Sequence, residues 1–149
     1  MKNIDACMSS QFMDWGTPQE FFDKLNKEFN FDLDFCANYQ NWKCDDFYTP
    51  DIDALKQFPK GRRIFCNPPY GKDIKRFVKK CYELSKDNFV VMLVPARTDT
   101  VYWHEYIFPH ADVRFIKGRL KFEGEQKGSG SAPFPSAIVI FKQKGSNGK

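Results

Sequence analysis

The sequence predicts an α/β fold in which a mostly parallel β-sheet is covered by helices, with an antiparallel hairpin formed by the last strands. Three observations predict it. Segments with strand periodicity alternate along the chain with segments whose apolar residues recur at helical spacing. Residues 89–94 are uninterruptedly apolar, which is typical of a strand buried on both faces of a parallel sheet. A loop rich in Gly and Ser, residues 124–131, separates the last two strand candidates.

The first helix is predicted from its capping residues. Thr17 is the expected cap, Pro18 suits the first helical position, and Glu20 stands where a capping box requires an acidic residue. Asp32 and Asp34 alternate with apolar residues, as in a strand with one buried face. The elements expected in this half are an arm over residues 1–16, a helix over 18–29, a strand over 31–36 and a short helix near 51–57.

The second half of the chain alternates strands and helices more regularly. Asp73 is the expected cap of a helix with one apolar stripe, and Pro109 is expected to end the next helix. The elements expected here are strands over 62–67, 89–94, 113–116, 120–122 and 137–141, helices over 74–84 and 98–108, and a flexible tail over 142–149. Right-handed crossovers then give a single domain over residues 1–149 with a Rossmann-type sheet, in which the last two strands pair as a hairpin at one edge.

Length and composition narrow the class of protein. The chain has 149 residues, 42% of them hydrophobic and 28% charged, which corresponds to one domain with its own core. No apolar run approaches the ~20 residues of a membrane helix, and the N-terminus lacks an apolar block of signal-peptide type. Five cysteines without a C-x-x-C spacing, and only two histidines, predict neither a disulfide framework nor a metal site. These features indicate a cytoplasmic protein with reduced thiols.

Charge is distributed unevenly along the sequence. Residues 1–55 carry 4 basic and 11 acidic side chains, a net charge of −7, whereas residues 56–121 carry 15 basic and 6 acidic side chains, a net charge of +9. An acidic part suits a cationic ligand, and a basic part suits a polyanion. Ordinary surface charge explains the same counts, so charge alone leaves both interpretations open.

The most specific motif is Asn67-Pro68-Pro69-Tyr70, which follows a predicted strand. In open α/β sheets the site lies at the carboxyl ends of the strands. An exocyclic amine is a poor nucleophile, so its methylation needs acceptors for both N–H groups; the Asn67 side-chain oxygen and the Pro68 carbonyl are suitable. The prolines restrict the backbone, and Tyr70 can stack on a base flipped out of a duplex. A strand that merely ends in a Pro-Pro turn is the structural alternative.

Other segments accompany this motif: Trp15-Gly16-Thr17-Pro18, Leu33-Asp34-Phe35-Cys36-Ala37, Asp53-Ala54-Leu55, Pro95-Ala96-Arg97-Thr98-Asp99-Thr100, Arg114-Phe115-Ile116-Lys117-Gly118-Arg119 and Ala132-Pro133-Phe134-Pro135-Ser136. With them, the chain from Trp15 to Phe141 resembles the phage and prophage DNA N-6-adenine methyltransferases, which use S-adenosylmethionine. The resemblance implies a compact, Rossmann-like class I methyltransferase sheet and methyl transfer to the N6 amine of a flipped adenine. The Asn-Pro-Pro-Tyr motif alone also occurs in enzymes that methylate protein glutamine or RNA adenine.

The resemblance assigns the first half of the chain to the cofactor. Thr17 and Pro18 match a segment near the methionine part of S-adenosylmethionine, and Asp34 matches the partner of its ammonium group. Asp53 and Leu55 match the place where such enzymes hold the adenine of the cofactor. The residues expected to bind the cofactor are Trp15, Thr17, Pro18, Asp34, Ala37, Asp53, Leu55 and Asn67. Helix capping by Thr17 and a solvated acidic loop are the structural alternatives.

One feature departs from most methyltransferases. No glycine occurs between Gly16 and Gly61, so the glycine-rich turn that usually follows the first strand is missing. Only 33 positions separate Asp34 from Asn67, too few for two complete strand–helix units. We therefore expect fewer strands than in the usual seven-stranded sheet.

The basic second half is expected to contact double-stranded DNA. Base flipping requires contacts to the DNA backbone and a side chain that fills the gap left by the base. The loop 124–131 could supply both. The residues expected to contact DNA are Lys72, Arg97, Thr98, Arg119 and Ser136. A non-catalytic DNA-binding module and a methyltransferase acting on RNA or protein are the other candidate functions, and a monomer or weak homodimer is expected.

Overall fold

The computed structural model describes residues 15–123 and 131–142. The strands within these residues are β1 (Leu33–Asp34), β2 (Arg63–Cys66), β3 (Phe89–Pro95), β4 (Asp112–Phe115) and β5 (Ser136–Phe141). They form one sheet in the order β1-β2-β3-β5-β4. β1, β2 and β3 are parallel, whereas β5 is antiparallel to both of its neighbours. The mixed α/β architecture and the parallel start of the sheet confirm the sequence prediction, and the five strands described are fewer than the usual seven.

Three predicted segments lie mostly outside the described residues. They are the arm over 1–16, of which residues 1–14 are not described, the loop 124–131, of which residues 124–130 are not described, and the tail over 142–149, of which residues 143–149 are not described.

The helical elements connect the strands along the chain. They are α1 (Gln19–Phe29), two short 3₁₀ turns (Pro50–Ile52 and Ala54–Lys56), α2 (Ile74–Leu84), and a helical segment over 101–110 that contains a π-helical turn (Trp103–Ile107) and ends in α3 (Phe108–His110). The short helix expected near 51–57 is thus replaced by the two 3₁₀ turns.

Helices cover both faces of the sheet. On one face, Phe22 of α1 packs edge-on against Phe65, with the ring centroids 5.1 Å apart. The next residue of β2, Cys66, points to the opposite face, as successive strand residues must. There its thiol interacts with Cys81 of α2. The result is a three-layer α/β/α arrangement.

The centre of the core is β3. Every residue from Val90 to Val94 is fully buried, as are Ile64 and Cys66 of the neighbouring β2. The apolar run therefore forms the buried strand that the sequence predicts. Its two neighbours differ, because β2 is parallel to it and β5 is antiparallel.

The expected hairpin of 120–122 with 137–141 is wrong. Residues 120–122 form no strand, because loop contacts hold them instead: the Ala132 N–H donates to the Leu120 carbonyl, and Glu123 exchanges two backbone hydrogen bonds with Gly16. The antiparallel partner of β5 at this edge is β4. The C-terminal antiparallel pair thus exists, but with β4 as the edge strand.

The predicted helix ends also need correction. No side chain of Thr17 or Asp73 caps a helix. The first amide of α1, that of Gln19, instead donates to the carboxylate of Glu123, 3.1 Å away and 104 positions later. The Asp73 carboxylate accepts from Arg76. Pro109 does not end its helix, which continues to His110, because a proline in the first turn of α3 has no hydrogen bond to lose.

Candidate active site

A cleft of about 270 Å³ opens at the carboxyl ends of β1 and β2. Four segments form its walls: the turn after β1 (Phe35, Cys36, Ala37, Asn38 and Asn41), the 3₁₀ region (Tyr48, Thr49, Pro50, Asp53, Ala54 and Leu55), the turn after β2 (Asn67, Pro68 and Pro69) and the start of α2 (Asp73, Arg76 and Phe77). Small-molecule sites are usually larger than ~300 Å³, so this cleft is near the lower end of that range. Its place in the sheet is where open α/β proteins bind their ligands.

A second, smaller cavity adjoins the cleft. Its volume is about 20 Å³, and it shares Cys36, Asn41 and Asn67 with the cleft. Asp34 and Lys43 also line it. A cavity of this size and polarity accommodates one group the size of a water molecule.

The Asn67 side chain is held by two hydrogen bonds. Its Nδ2 donates to the backbone carbonyl of Trp15 at 2.5 Å and to the hydroxyl of Thr17 at 3.0 Å. Both amide protons are therefore used. Its Oδ1 is buried and has no hydrogen-bond partner among the described residues. A buried acceptor without a partner costs free energy, so this oxygen is available to a donor supplied by a ligand.

The rest of the turn lies against the aromatic core. Pro68 is buried and Pro69 half-buried, and both line the cleft. Tyr70 is only 2% exposed, and its hydroxyl donates to the carbonyl of Leu93 at 3.1 Å. The Tyr70 ring packs edge-on against Phe134, with the centroids 5.6 Å apart. In this conformation the ring does not line the cleft, so stacking on a base requires it to be uncovered.

Asp34 is a buried carboxylic acid at the end of β1. It is 2% exposed and accepts hydrogen bonds from the backbone amides of Cys36 (3.3 Å) and Lys43 (3.0 Å). Burial raises the pKa of Asp34 to about 6, and the two amides oppose that rise. The ammonium of Lys43 is directed away, toward Glu123 at 3.6 Å. Asp34 is thus a buried anion beside a cavity of water size.

The other residues expected to bind a cofactor divide into three groups. Ala37, Asp53 and Leu55 line the cleft together with Asn67. Thr17 lines the smaller cavity with Asp34. Neither cavity is lined by Trp15 or Pro18. The Trp15 ring instead packs edge-on against Phe122 and Phe134, with centroids 5.6 and 5.1 Å away.

Sequence reasoning missed several cleft residues. Arg76 belongs to the basic second half of the chain, but it lines the cleft next to Asp73, 3.4 Å from its carboxylate. Tyr48 and Phe77 line the cleft as well. The helical period of α2 could have identified Arg76 and Phe77, because both lie on this helix within about two helical turns of the segment that follows β2. No local signal identifies Tyr48.

The residues expected to contact DNA differ in exposure. Lys72, Arg97 and Thr98 are exposed, and the Arg97 guanidinium lies 5.3 Å from the centre of the Phe134 ring. Arg119 is exposed but donates to the carbonyl of Ala132 at 3.2 Å. Ser136 is fully buried in β5, so its side chain is not open to DNA in this structure.

Two other properties concern metals and membranes. Within residues 15–123 and 131–142, no group of three or more His, Cys, Asp or Glu side chains could hold a metal ion. The helices of the same residues are all too short or too polar to cross a bilayer.

The fold and the cleft define an α/β protein with a cleft at the carboxyl ends of parallel strands, where a fixed amide lies beside a buried acid. The chain belongs to the DNA N-6-adenine-methyltransferase (Dam) family, whose model matches residues 8–148. It is 34% identical over 110 residues to a DNA N-6-adenine-methyltransferase of Escherichia phage T1, and the match covers 71% of this chain but 45% of that protein. A DNA N-6-adenine-methyltransferase of Haemophilus phage HP1 (strain HP1c1) is 29% identical over 137 residues, which are 87% of this chain and 79% of that protein.

Proposed function

We propose that this protein transfers a methyl group from S-adenosylmethionine to the N6 amine of an adenine flipped out of double-stranded DNA. The observation that carries the proposal is the buried Asn67 Oδ1, which lacks a partner among the described residues and stands on the turn that separates the cleft from the aromatic core. The family and the two phage relatives, both named for this reaction, support it.

The chemistry of the residues that line the two cavities supports this cofactor. Ala37, Asp53 and Leu55 would hold its adenosine part in the cleft, and the carboxylate of Asp34 would pair with its ammonium group through the smaller cavity. An ammonium group is about the size of the one water molecule that this cavity admits. When bound, the cofactor supplies an electrophilic methyl carbon whose bonding electron pair stays on sulfur as the new N–C bond forms.

The turn after β2 prepares the amine for attack. Asn67 Oδ1 and the Pro68 carbonyl accept the two N6 protons of adenine and stabilise the positive charge that develops on nitrogen. Because the amine loses its proton to water after the methyl group has been transferred, no side chain has to act as a strong base. Pro68 and Pro69 limit the backbone motion of the turn, so the acceptors are oriented before the base arrives.

The DNA is expected along the exposed basic side chains beside this turn. Lys72, Arg97 and Arg119 offer positive charge to phosphates, and Thr98 a hydroxyl, on the same side as the carboxyl ends of β2 and β3. We further propose that the sheet is a Rossmann-like class I methyltransferase sheet and that the chain acts as a monomer or weak homodimer. The phage origin of the relatives supports action in the bacterial cytoplasm.

The test is nucleoside mass spectrometry of DNA from cells that express the protein. N6-Methyladenine should be present with the wild type and absent with Asn67→Ala expressed at the same level. A labelled methyl group that appears in protein or RNA but not in duplex DNA would contradict the proposal. Absence of both label and measurable S-adenosylmethionine binding would favour a non-catalytic DNA-binding module.

A further inference from the structure

We propose that the segment Trp15–Thr17 is a positioning element, which orients the Asn67 amide and makes the site specific for asparagine over aspartate at position 67. This inference rests on the proposed methyl transfer. It gives Thr17 a role through Asn67, in place of the cofactor contact that the resemblance implies. The contacts of the amide, the rigidity of the segment and the chemistry of the acceptor each support it.

The orientation of the Asn67 amide follows from its partners. The Trp15 carbonyl is an acceptor and cannot donate, so the atom 2.5 Å from it must be the Nδ2 donor. A flipped amide would place Oδ1 against that carbonyl, and two acceptors repel at this distance. Thr17, at 3.0 Å, accepts the second amide proton. Together the two contacts leave only Oδ1 for the substrate.

The segment that provides these contacts is itself fixed. Gly16 and Glu123 exchange two backbone hydrogen bonds of 2.9 and 2.8 Å. The Glu123 carboxylate also accepts from the Gln19 amide at 3.1 Å and pairs with the ammonium of Lys43 at 3.6 Å. A side chain at Gly16 would be crowded, because a Cβ there would lie 3.0 Å from Asn41 Nδ2 and 3.1 Å from the Glu123 carbonyl oxygen, so these neighbours would have to move by a few tenths of an ångström. The Gly16 N–H belongs to the same planar peptide unit as the Trp15 carbonyl, so its hydrogen bond to Glu123 also restrains that carbonyl.

The same contacts make Oδ1 a better acceptor. Hydrogen bonds donated by Nδ2 polarise the amide and increase the negative charge on its oxygen, and a low-dielectric surrounding strengthens that effect. An aspartate at position 67 would offer an acceptor too. Its second oxygen, however, would take the place of Nδ2 and face the Trp15 carbonyl, so the carboxylate would have to turn away from the amine or take up a proton.

The first experiment compares variants of Thr17 in the full chain. Thr17→Val removes the acceptor with little change in volume, and we expect it to lower kcat at saturating cofactor and DNA by about 10-fold, the cost of one buried hydrogen bond. S-Adenosylmethionine affinity, measured by calorimetry, should stay within about 2-fold of the wild type. Thr17→Ser, which keeps the hydroxyl, should restore most of the rate. Ser85→Ala is the matched control, since it removes a buried hydroxyl that donates to Tyr82 far from the cleft.

Two results of that comparison would overturn the inference. One is a Thr17→Val variant that binds S-adenosylmethionine about 10-fold more weakly but keeps the wild-type kcat, which would make Thr17 a cofactor contact alone. The other is a Thr17→Val variant with wild-type kcat and affinity. Asn67→Asp supplies a further test: we expect it to be as inactive as Asn67→Ala, and activity within about 3-fold of the wild type would refute the specificity for asparagine.

A measurement without turnover separates this inference from the proposed function. In ¹⁵N-labelled protein, the two side-chain amide protons of Asn67 should exchange slowly with water, and Thr17→Val should speed the exchange of one of them. Wild-type protein that fails to methylate DNA would refute the proposed function while leaving this readout intact. Equal and fast exchange of both protons in the wild type would refute the positioning of the amide.

Discussion

The turn after β2 and the basic second half of the chain were both expected to act on DNA, but they differ in how far their polar groups are already bonded within the protein. At the turn, Asn67 has both donors satisfied and one buried acceptor left over. In the basic half, several cations already form ion pairs with carboxylates of the same chain. Arg62 binds two aspartates at 2.9 and 2.8 Å, and Arg114 binds Glu28 at 2.6 Å. A single unsatisfied acceptor therefore indicates function more sharply than a net charge of +9.

Only part of the basic surplus is free to attract DNA. Lys80 is buried, with its ammonium 3.6 Å from the centre of the Phe58 ring, and burial lowers the pKa of this group. Lys72, Lys117 and Lys121 make no ion pair with any residue that the structure describes. These lysines, together with the exposed Arg97, are the cations with the most to gain from a phosphate.

The largest effect is expected at the turn. Asn67→Ala should reduce methyl transfer at least ~100-fold, because one preorganised group at a developing charge is commonly worth ~10²–10³ in rate. The rate is measured with a labelled methyl group, and circular dichroism should show the thermal transition of the variant within a few degrees of the wild type. Turnover close to that of the wild type would remove the turn from the chemistry.

An intermediate effect is expected at Asp34, whose pKa of about 6 lies above its ordinary value. A cofactor ammonium stays protonated below pH 7 and needs the ionised carboxylate, so affinity should be about 10-fold weaker at pH 5 than at pH 7. Stability should change the other way: the folded protein binds this proton more tightly than the unfolded chain, so the free energy of unfolding contributed by Asp34 falls as pH rises from about 4 to about 6. Calorimetry with Asp34→Asn should show weak affinity independent of pH over this range, and a wild-type affinity that is also flat would contradict the assignment.

The smallest effect is expected at Arg119. Arg119→Ala should weaken DNA binding only about 2- to 3-fold, since its guanidinium already donates to Ala132, whereas Lys72→Ala should lower the slope of log affinity against log salt by up to ~1. Both variants should bind S-adenosylmethionine as the wild type does.

The control is Lys86→Ala, which removes an exposed lysine after the far end of α2 and should change neither DNA binding nor cofactor binding. An equal loss of DNA and cofactor affinity in Arg119→Ala would place this residue at the cleft.

The sequence predicted the parts of the fold that depend on local pattern. Strands β2 and β3 and helix α2 follow from apolar runs and a 3.6-residue period, and their ends agree with prediction within about two residues. Residues 120–122 were wrongly assigned to a strand, because their alternation is local whereas the contacts that hold this part of the chain are distant: Leu120 pairs with Ala132, and the adjacent Glu123 pairs with Gly16. The cap of α1 was missed for the same reason, since the carboxylate comes from Glu123.

The outline of the candidate site was predictable from the sequence, but the contacts between its residues were not. A rigid turn after a buried strand could be recognised from four residues, and the acidic residues of the first half could be placed near it from topology. The role of Thr17 could not be predicted in this way. A threonine hydroxyl before a helix can either cap that helix or bind a side-chain amide, and only the folded structure distinguishes the two.

The position of β5 affects how the chain can be made. This strand lies between β3 and β4 and pairs with both, although 41 positions separate Pro95 from Ser136 in the chain. Until residue 141 has left the ribosome, the most apolar strand keeps an open edge that any other extended chain can join. Aggregation during synthesis is therefore a hazard for this molecule, and slower translation at low temperature together with holding chaperones should raise its yield.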